Sequence, residues 1–101
     1  MELKKTAMAG TTESSDCMVV INPNPGGGIE FELNSSVKAL FGDSIEATVR
    51  EVLAKFDVTE AAVSIVDKGA LDFVIRARME CAVCRAAEIS YDWSREDENG
   101  K

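Results

Sequence analysis

The side chains that could do chemistry in this chain are few, because its 101 residues contain no histidine. The commonest general base and the commonest metal ligand are therefore missing, which argues against a self-contained hydrolase or a zinc enzyme. What remains are the hydroxyls of Ser14 and Ser15 in Glu13-Ser14-Ser15-Asp16, the thiols of Cys17, Cys81 and Cys84, the guanidinium groups of Arg76, Arg78 and Arg85, and the pair Lys68-Gly69. No subset of these forms a catalytic constellation, so no catalytic residue and no metal ligand is expected. The serines offer something simpler, since a short polar turn leaves its hydroxyls exposed. By itself, Glu-Ser-Ser-Asp is an ordinary solvated turn.

Cys81-Ala82-Val83-Cys84 has the spacing of a redox or metal-binding pair. It lacks the strand-to-helix placement of a thioredoxin-like motif, and only one further cysteine is available to complete a metal site. Three cysteines are an odd number in a chain without a secretory signal, so reduced thiols are expected rather than a disulfide framework. Arg76, Arg78 and Arg85 concentrate positive charge on one segment, where they could meet phosphates, an acidic partner surface or simply water. Lys68-Gly69 precedes a helical pattern and is a weak hint of an anion site.

Composition sets the frame for these groups. A chain of this length forms one domain and buries roughly two thirds of the surface its unfolded form exposes. Hydrophobic residues make up 46% and charged residues 29%, as in an ordinary folded domain. The formal charge of -7, from 18 acidic and 11 basic residues, would repel a phosphate backbone, so nucleic acid is not an expected partner. No apolar run approaches the roughly 20 residues that span a bilayer, so no membrane is expected and the chain reads as cytoplasmic.

The elements that must position the serines follow from periodicity. Ile29-Glu30-Phe31-Glu32-Leu33 alternates apolar and acidic residues, as a strand with one wet face requires. Cys17 to Ile21 is an apolar β-prone run, and the turn-rich Asn22 to Gly28 suggests that these two strands are joined by a turn. Thr6 to Thr12 is a weaker strand, which makes Glu13 to Asp16 the tip of a hairpin. Val37, Leu40, Phe41, Ile45, Val49, Val52, Leu53 and Phe56 recur at threes and fours, predicting a helix from about Ser36 to Phe56 with Glu46–Arg50 and Glu51–Lys55 pairs on its surface. Thr59 to Val66 is small or apolar on both faces and suits a central strand. Ala70 to Ala87 predicts a second helix with Leu71, Val74, Ala77 or Arg78, Cys81 and Cys84 on one side. The fold class is therefore α+β: a single two-layer domain in the order β-β-β-α-β-α, with a largely antiparallel sheet of about four strands and two helices on one face. The domain runs over 1–93, with Tyr91 and Trp93 as its last contacts, and 94–101 is a polar tail expected to be disordered.

Ala9-Gly10-Thr11-Thr12-Glu13-Ser14-Ser15-Asp16 resembles the modification segment of citrate lyase acyl carrier proteins, the gamma subunits, which typically read Ala-Gly-Thr-Leu-Glu-Ser-(Ser or Gly)-Asp. Asn34-Ser35-Ser36-Val37, continuing to Phe41-Gly42-Asp43, and Asp67-Lys68-Gly69-Ala70-Leu71-Asp72 with Arg76-Ala77-Arg78, resemble the same family in the same order. The likeness runs from about Thr6 to Ala87. It departs at Thr12, where the family usually has leucine, and in the Pro23 to Gly28 loop.

The resemblance implies that Ser14 carries a covalently attached 2'-(5''-phosphoribosyl)-3'-dephospho-CoA through a phosphodiester, and that the arm's terminal thiol holds acetyl and then citryl groups during citrate cleavage to oxaloacetate and acetate. It further implies a non-catalytic subunit whose partners are the alpha (acyl transferase) and beta (citryl lyase) subunits and a prosthetic-group transferase. Ser15 is the weaker candidate, because its position also accepts glycine in the family. Glu13 and Asp16 are candidates for recognition by the modifying enzyme, or are turn-forming acids. The carrier subunit of malonate decarboxylase is a close alternative, while a small CxxC redox or metal-binding protein and an unmodified interaction subunit are readings of different classes.

Overall fold

A computed structural model describes residues 1–35 and 38–89. The strands are β1 (Ala7–Gly10), β2 (Cys17–Pro23), β3 (Ile29–Ser35) and β4 (Ala61–Asp67), and the helices are α1 (Lys38–Lys55), between β3 and β4, and α2 (Asp72–Ala87). This is the expected β-β-β-α-β-α order. Ser36, Val37, Tyr91, Trp93 and the tail from Ser94 lie outside the described residues.

The sheet order is β1-β2-β4-β3. β1 and β4 pair antiparallel with β2, while β3 pairs parallel with β4, so the sheet is mixed but largely antiparallel. β4 is central, as its two apolar faces require: Ala61, Val63, Ile65 and Asp67 are buried, and Ala62, Ser64 and Val66 on the opposite face are half-buried. β3 exposes Glu30 and Glu32 and so belongs at an edge.

That preference overrides the joined pair expected from the turn-rich loop. β2 and β3 are not neighbours, because β4 enters between them, and the loop crosses the end of β4, where Gly28 accepts a hydrogen bond from the Ala61 amide at 3.0 Å. The parallel β3–β4 pair needs a long crossover, and α1 provides it.

Both helices cover the same face of the sheet, with α2 over β1 and β2, α1 beside β3, and the two helices in contact. Cys17, Val19 and Ile21 of β2 meet Val63 and Ile65 of β4 in one core with Ile45, Val49, Val52, Leu53 and Phe56 of α1, most of the apolar stripe that periodicity predicts; Phe41, expected in that stripe, is exposed instead, because the first turns of α1 extend past the sheet-facing core. In α2 the buried face is Ile75, Met79, Ala82, Val83 and Ala86. It is rotated from the expected stripe, of which Cys84 is buried while Leu71 and Ala77 are exposed and Val74 and Cys81 half-buried. Alanine carries little apolar signal in a pattern, yet its small side chain lets a helix lie close to a sheet.

Charge pairing is also more tertiary than local. Glu46 and Arg50 pair at 2.9 Å as expected. Glu51 does not pair with Lys55: it meets Arg76 at 2.7 Å, and Lys55 reaches the buried Glu80 at 2.8 Å. Helix–helix packing brings these partners within reach, and a carboxylate as buried as Glu80 requires a cation more than an exposed pair does. Among the described residues, no helix is long and apolar enough to cross a membrane.

Candidate functional site

The β1–β2 connection is a hairpin whose tip is shaped residue by residue. Gly10 leaves β1 with φ +96°, and the Thr11 amide donates to the Cys17 carbonyl at 3.1 Å, closing the ladder. The Asp16 amide then donates to the Glu13 carbonyl at 3.1 Å, making Glu13-Ser14-Ser15-Asp16 a β-turn with Ser14 and Ser15 at its two corners. Ser15 has φ 66°, the positive value that the third residue of a type II turn demands. Glycine meets that demand most easily, which explains why serine or glycine would serve at this position.

Ser14 occupies the other corner. It is exposed, and its hydroxyl has no hydrogen-bond partner among the described residues. Ser15 is exposed too, but its amide donates to the Lys68 carbonyl at 2.8 Å, and the Lys68 amide donates to the Asp16 carbonyl at 2.9 Å. These two bonds extend the β2–β4 ladder one step past Cys17 and Asp67, anchoring the tip to the β4–α2 connection.

Asp16 is the second anchor. Its carboxylate accepts Arg78 Nε at 3.1 Å and Nη2 at 3.0 Å, a bidentate clamp from α2, and also Thr11 Oγ1 at 2.8 Å and the Cys17 amide at 2.7 Å. The Arg78 guanidinium first, then the Thr11 hydroxyl and the Cys17 amide, hold the Asp16 carboxyl at about 2, below its usual 3.8. Asp16 therefore shapes the turn from within, whereas the Glu13 carboxylate is exposed and unpaired among the described residues.

A folded-state value below the unfolded one means that this clamp stabilises the tip above about pH 4 and is lost as the pH falls toward 2. The protection of the Ser15 and Asp16 amides, measured against unfolded-chain exchange at each pH, is expected to fall over that window while β4 stays protected. Asp16→Asn should remove the pH dependence, and an unchanged profile in that variant would mean that another group loosens the tip.

The other candidates are absorbed by the fold. Arg76 pairs with Glu51, Arg78 with Asp16, and Arg85 donates to the Met8 carbonyl at 2.7 Å, so the arginines fasten α2 to its neighbours instead of forming a loose basic face. Lys68-Gly69 lies before α2 and not at its first turn, and the Lys68 peptide is occupied with the hairpin. Burial, and then the charges of Asp16 and Asp67, push the Cys17 thiol up to about 11. Burial also pushes Cys84 up, the opposite of an activated thiolate. No metal-binding group of three or more His, Cys, Asp or Glu occurs among the described residues.

Two contributors escaped sequence reasoning: Arg78 as the clamp on Asp16, 62 residues away, and the Lys68 peptide as the brace. Neither spacing nor residue type signals a contact made by tertiary packing alone. The arrangement is a protruding turn, braced from behind by Lys68 and Arg78, whose exposed Ser14 hydroxyl has no hydrogen-bond partner among the described residues and stands next to the unpaired Glu13 carboxylate.

Comparison with known proteins gives the family. Residues 4–86 match the family described as "ACP: Malonate decarboxylase delta subunit (MdcD)". The citrate lyase acyl carrier protein of Clostridium perfringens is 50% identical over 94 residues, covering 92% of this chain and 93% of the relative. That of Weissella paramesenteroides is 54% identical over 89 residues, covering 88% and 91%. A crystal structure of a Thermus thermophilus protein superposes with a TM-score of 0.60 at 14% identity over 83% of this chain, which spans only 16% of that protein's length, so the likeness concerns the fold alone. With half its residues identical to these carriers over almost their whole length, the chain belongs to the citrate lyase acyl carrier protein family.

Proposed function

We propose that the chain is the carrier subunit of a citrate lyase and that Ser14 is the residue on which a prosthetic-group transferase places 2'-(5''-phosphoribosyl)-3'-dephospho-CoA. The observation that supports this most directly is the unpartnered Ser14 hydroxyl at the exposed corner of a turn anchored from behind by Lys68 and Arg78. The residues around it suit the group. No described residue hydrogen-bonds the hydroxyl, and the exposed Lys68, whose peptide is bonded to Ser15 and Asp16, brings a cation without an ion-pair partner among the described residues to the segment that braces the tip.

When attached, the arm supplies a terminal thiol that holds acyl groups as thioesters. The protein's own part is to fix the anchor, keep it clear of the core and present it to the alpha and beta subunits. Tethering raises the local concentration of the bound acyl group at both partner sites. Three free cysteines, two of them buried, suit the reducing cytoplasm as the place of action.

Intact mass spectrometry of protein co-expressed with the transferase and its prosthetic-group precursor tests the reading. One phosphoribosyl-dephospho-CoA per chain, mapped by peptide fragmentation to Ser14, is the expected result. An unmodified chain, or a group on Ser15 or a cysteine, would overturn it. The family description also names malonate decarboxylase, so a second host complex has a specific observation in its favour. Co-purification with citrate lyase alpha and beta subunits, and not with malonate decarboxylase subunits, decides between the two.

A further inference from the structure

An apolar groove of about 460 Å³ lies on the far side of the connection that braces Ser14's turn. Its walls are Phe41 and Ile45 from α1, Ala70 and Leu71 from the β4–α2 connection, and Ile75 from α2, with Asp67 and Asp72 at its edges. Phe41 and Leu71 stand 53% and 63% exposed, an unusual state for large apolar side chains that a bound apolar group would relieve. We infer that this groove is a parking site for the uncharged, thiol-bearing end of the arm anchored on Ser14. The inference rests on the carrier reading above.

Three observations select this occupant. The first is connectivity: Ser15 and Asp16 are bonded to Lys68, and the next residue, Gly69, already lines the groove, so one peptide segment separates anchor from pocket. Gly69 presents no side chain on that path, and the space where one would stand is open.

The second is charge. Among the described residues lining the groove are the exposed Asp72 and the buried Asp67 but no cation, a lining that does not favour phosphates, whereas Lys68 lies along the chain between groove and anchor. In a CoA-like arm the phosphates lie near the attachment point, and the distal pantetheine, with its paired methyl groups and two amides, is uncharged. The order of charges along the surface thus matches the order along the arm.

The third is energetic. A short tether gives an effective concentration in the millimolar range, so a groove with only millimolar intrinsic affinity would be occupied about half the time. Such a site shields the thiol between reactions and still releases it readily to a partner.

The test uses methyl-labelled protein loaded with phosphoribosyl-dephospho-CoA by the transferase, with intact mass checked before NMR. Nuclear Overhauser contacts between the pantetheine methyl groups and the methyls of Ile45, Leu71 and Ile75, with shift changes at those residues relative to unloaded protein, are expected. Leu71→Asp should abolish the contacts. Full loading with shift changes confined to residues 11–16 and Lys68 would overturn the parking site and leave the carrier reading standing. Absence of any mass gain would overturn both.

Discussion

Ser14→Ala is expected to abolish prosthetic-group attachment completely while leaving the fold intact. The hydroxyl is the only group the change removes, and it makes no hydrogen bond among the described residues, so stability should move by no more than about 0.5 kcal/mol. Intact mass should show no added group, and a reconstituted citrate lyase containing the variant should show no turnover. Ser15→Gly is the informative contrast. Glycine adopts the φ of 66° at that corner without strain, so this variant should be modified as fully as the parent. Modification of Ser14→Ala at Ser15 would show that the transferase reads the segment and not the corner.

Gly10→Ala is expected to be the most damaging single-methyl substitution in the hairpin. Its φ of +96° is already unfavourable for an L-residue. A Cβ there would also stand 1.9 Å from the Cys17 carbonyl oxygen and 3.1 Å from Arg78 Cδ, and the first of these neighbours is backbone of the partner strand. Relief requires separating β1 from β2 at the base of the tip, so a loss of about 4 kcal/mol or more is expected in urea unfolding, in the range reserved for broken backbone geometry or packing. Gly26→Ala is the matched control. It has φ +76° but nothing within 4 Å of the new methyl, so only the conformational strain of about 1–2 kcal/mol applies. Equal losses in the two variants would mean that the close approach at Gly10 is relieved elsewhere.

Much of this architecture is legible in the sequence. Alternation in Ile29 to Leu33, the threes and fours of Ile45 to Phe56, and the two apolar faces of Thr59 to Val66 each report a local period imposed by burial on one side or on both. The hairpin tip is legible for the opposite reason, since four polar residues between apolar runs have no buried face to occupy. What the periods do not encode is which strands become neighbours. Asn22 to Gly28 has the composition of a tight hairpin loop, yet it serves as a bridge across the end of β4, because the slot beside β2 goes to the strand that can bury both faces. Likewise, Arg78 looks like one of three similar arginines, and only the packing of α2 against β2 distinguishes it as the partner of Asp16.

The wiring of the tip also bears on when the protein becomes a substrate. Residues 11–16 leave the ribosome early, but Lys68 and Arg78, which hold them, are made near the end of the domain, after β4, the strand that lies between β2 and β3. Contacts this distant in sequence form late in folding, after loop closure has been overcome. A growing chain therefore displays Ser14 on a loose thread long before it displays it on a rigid corner. On the attachment proposed for Ser14, a transferase that gripped the corner would pass over unfinished or misfolded chains, so the turn would report completed folding.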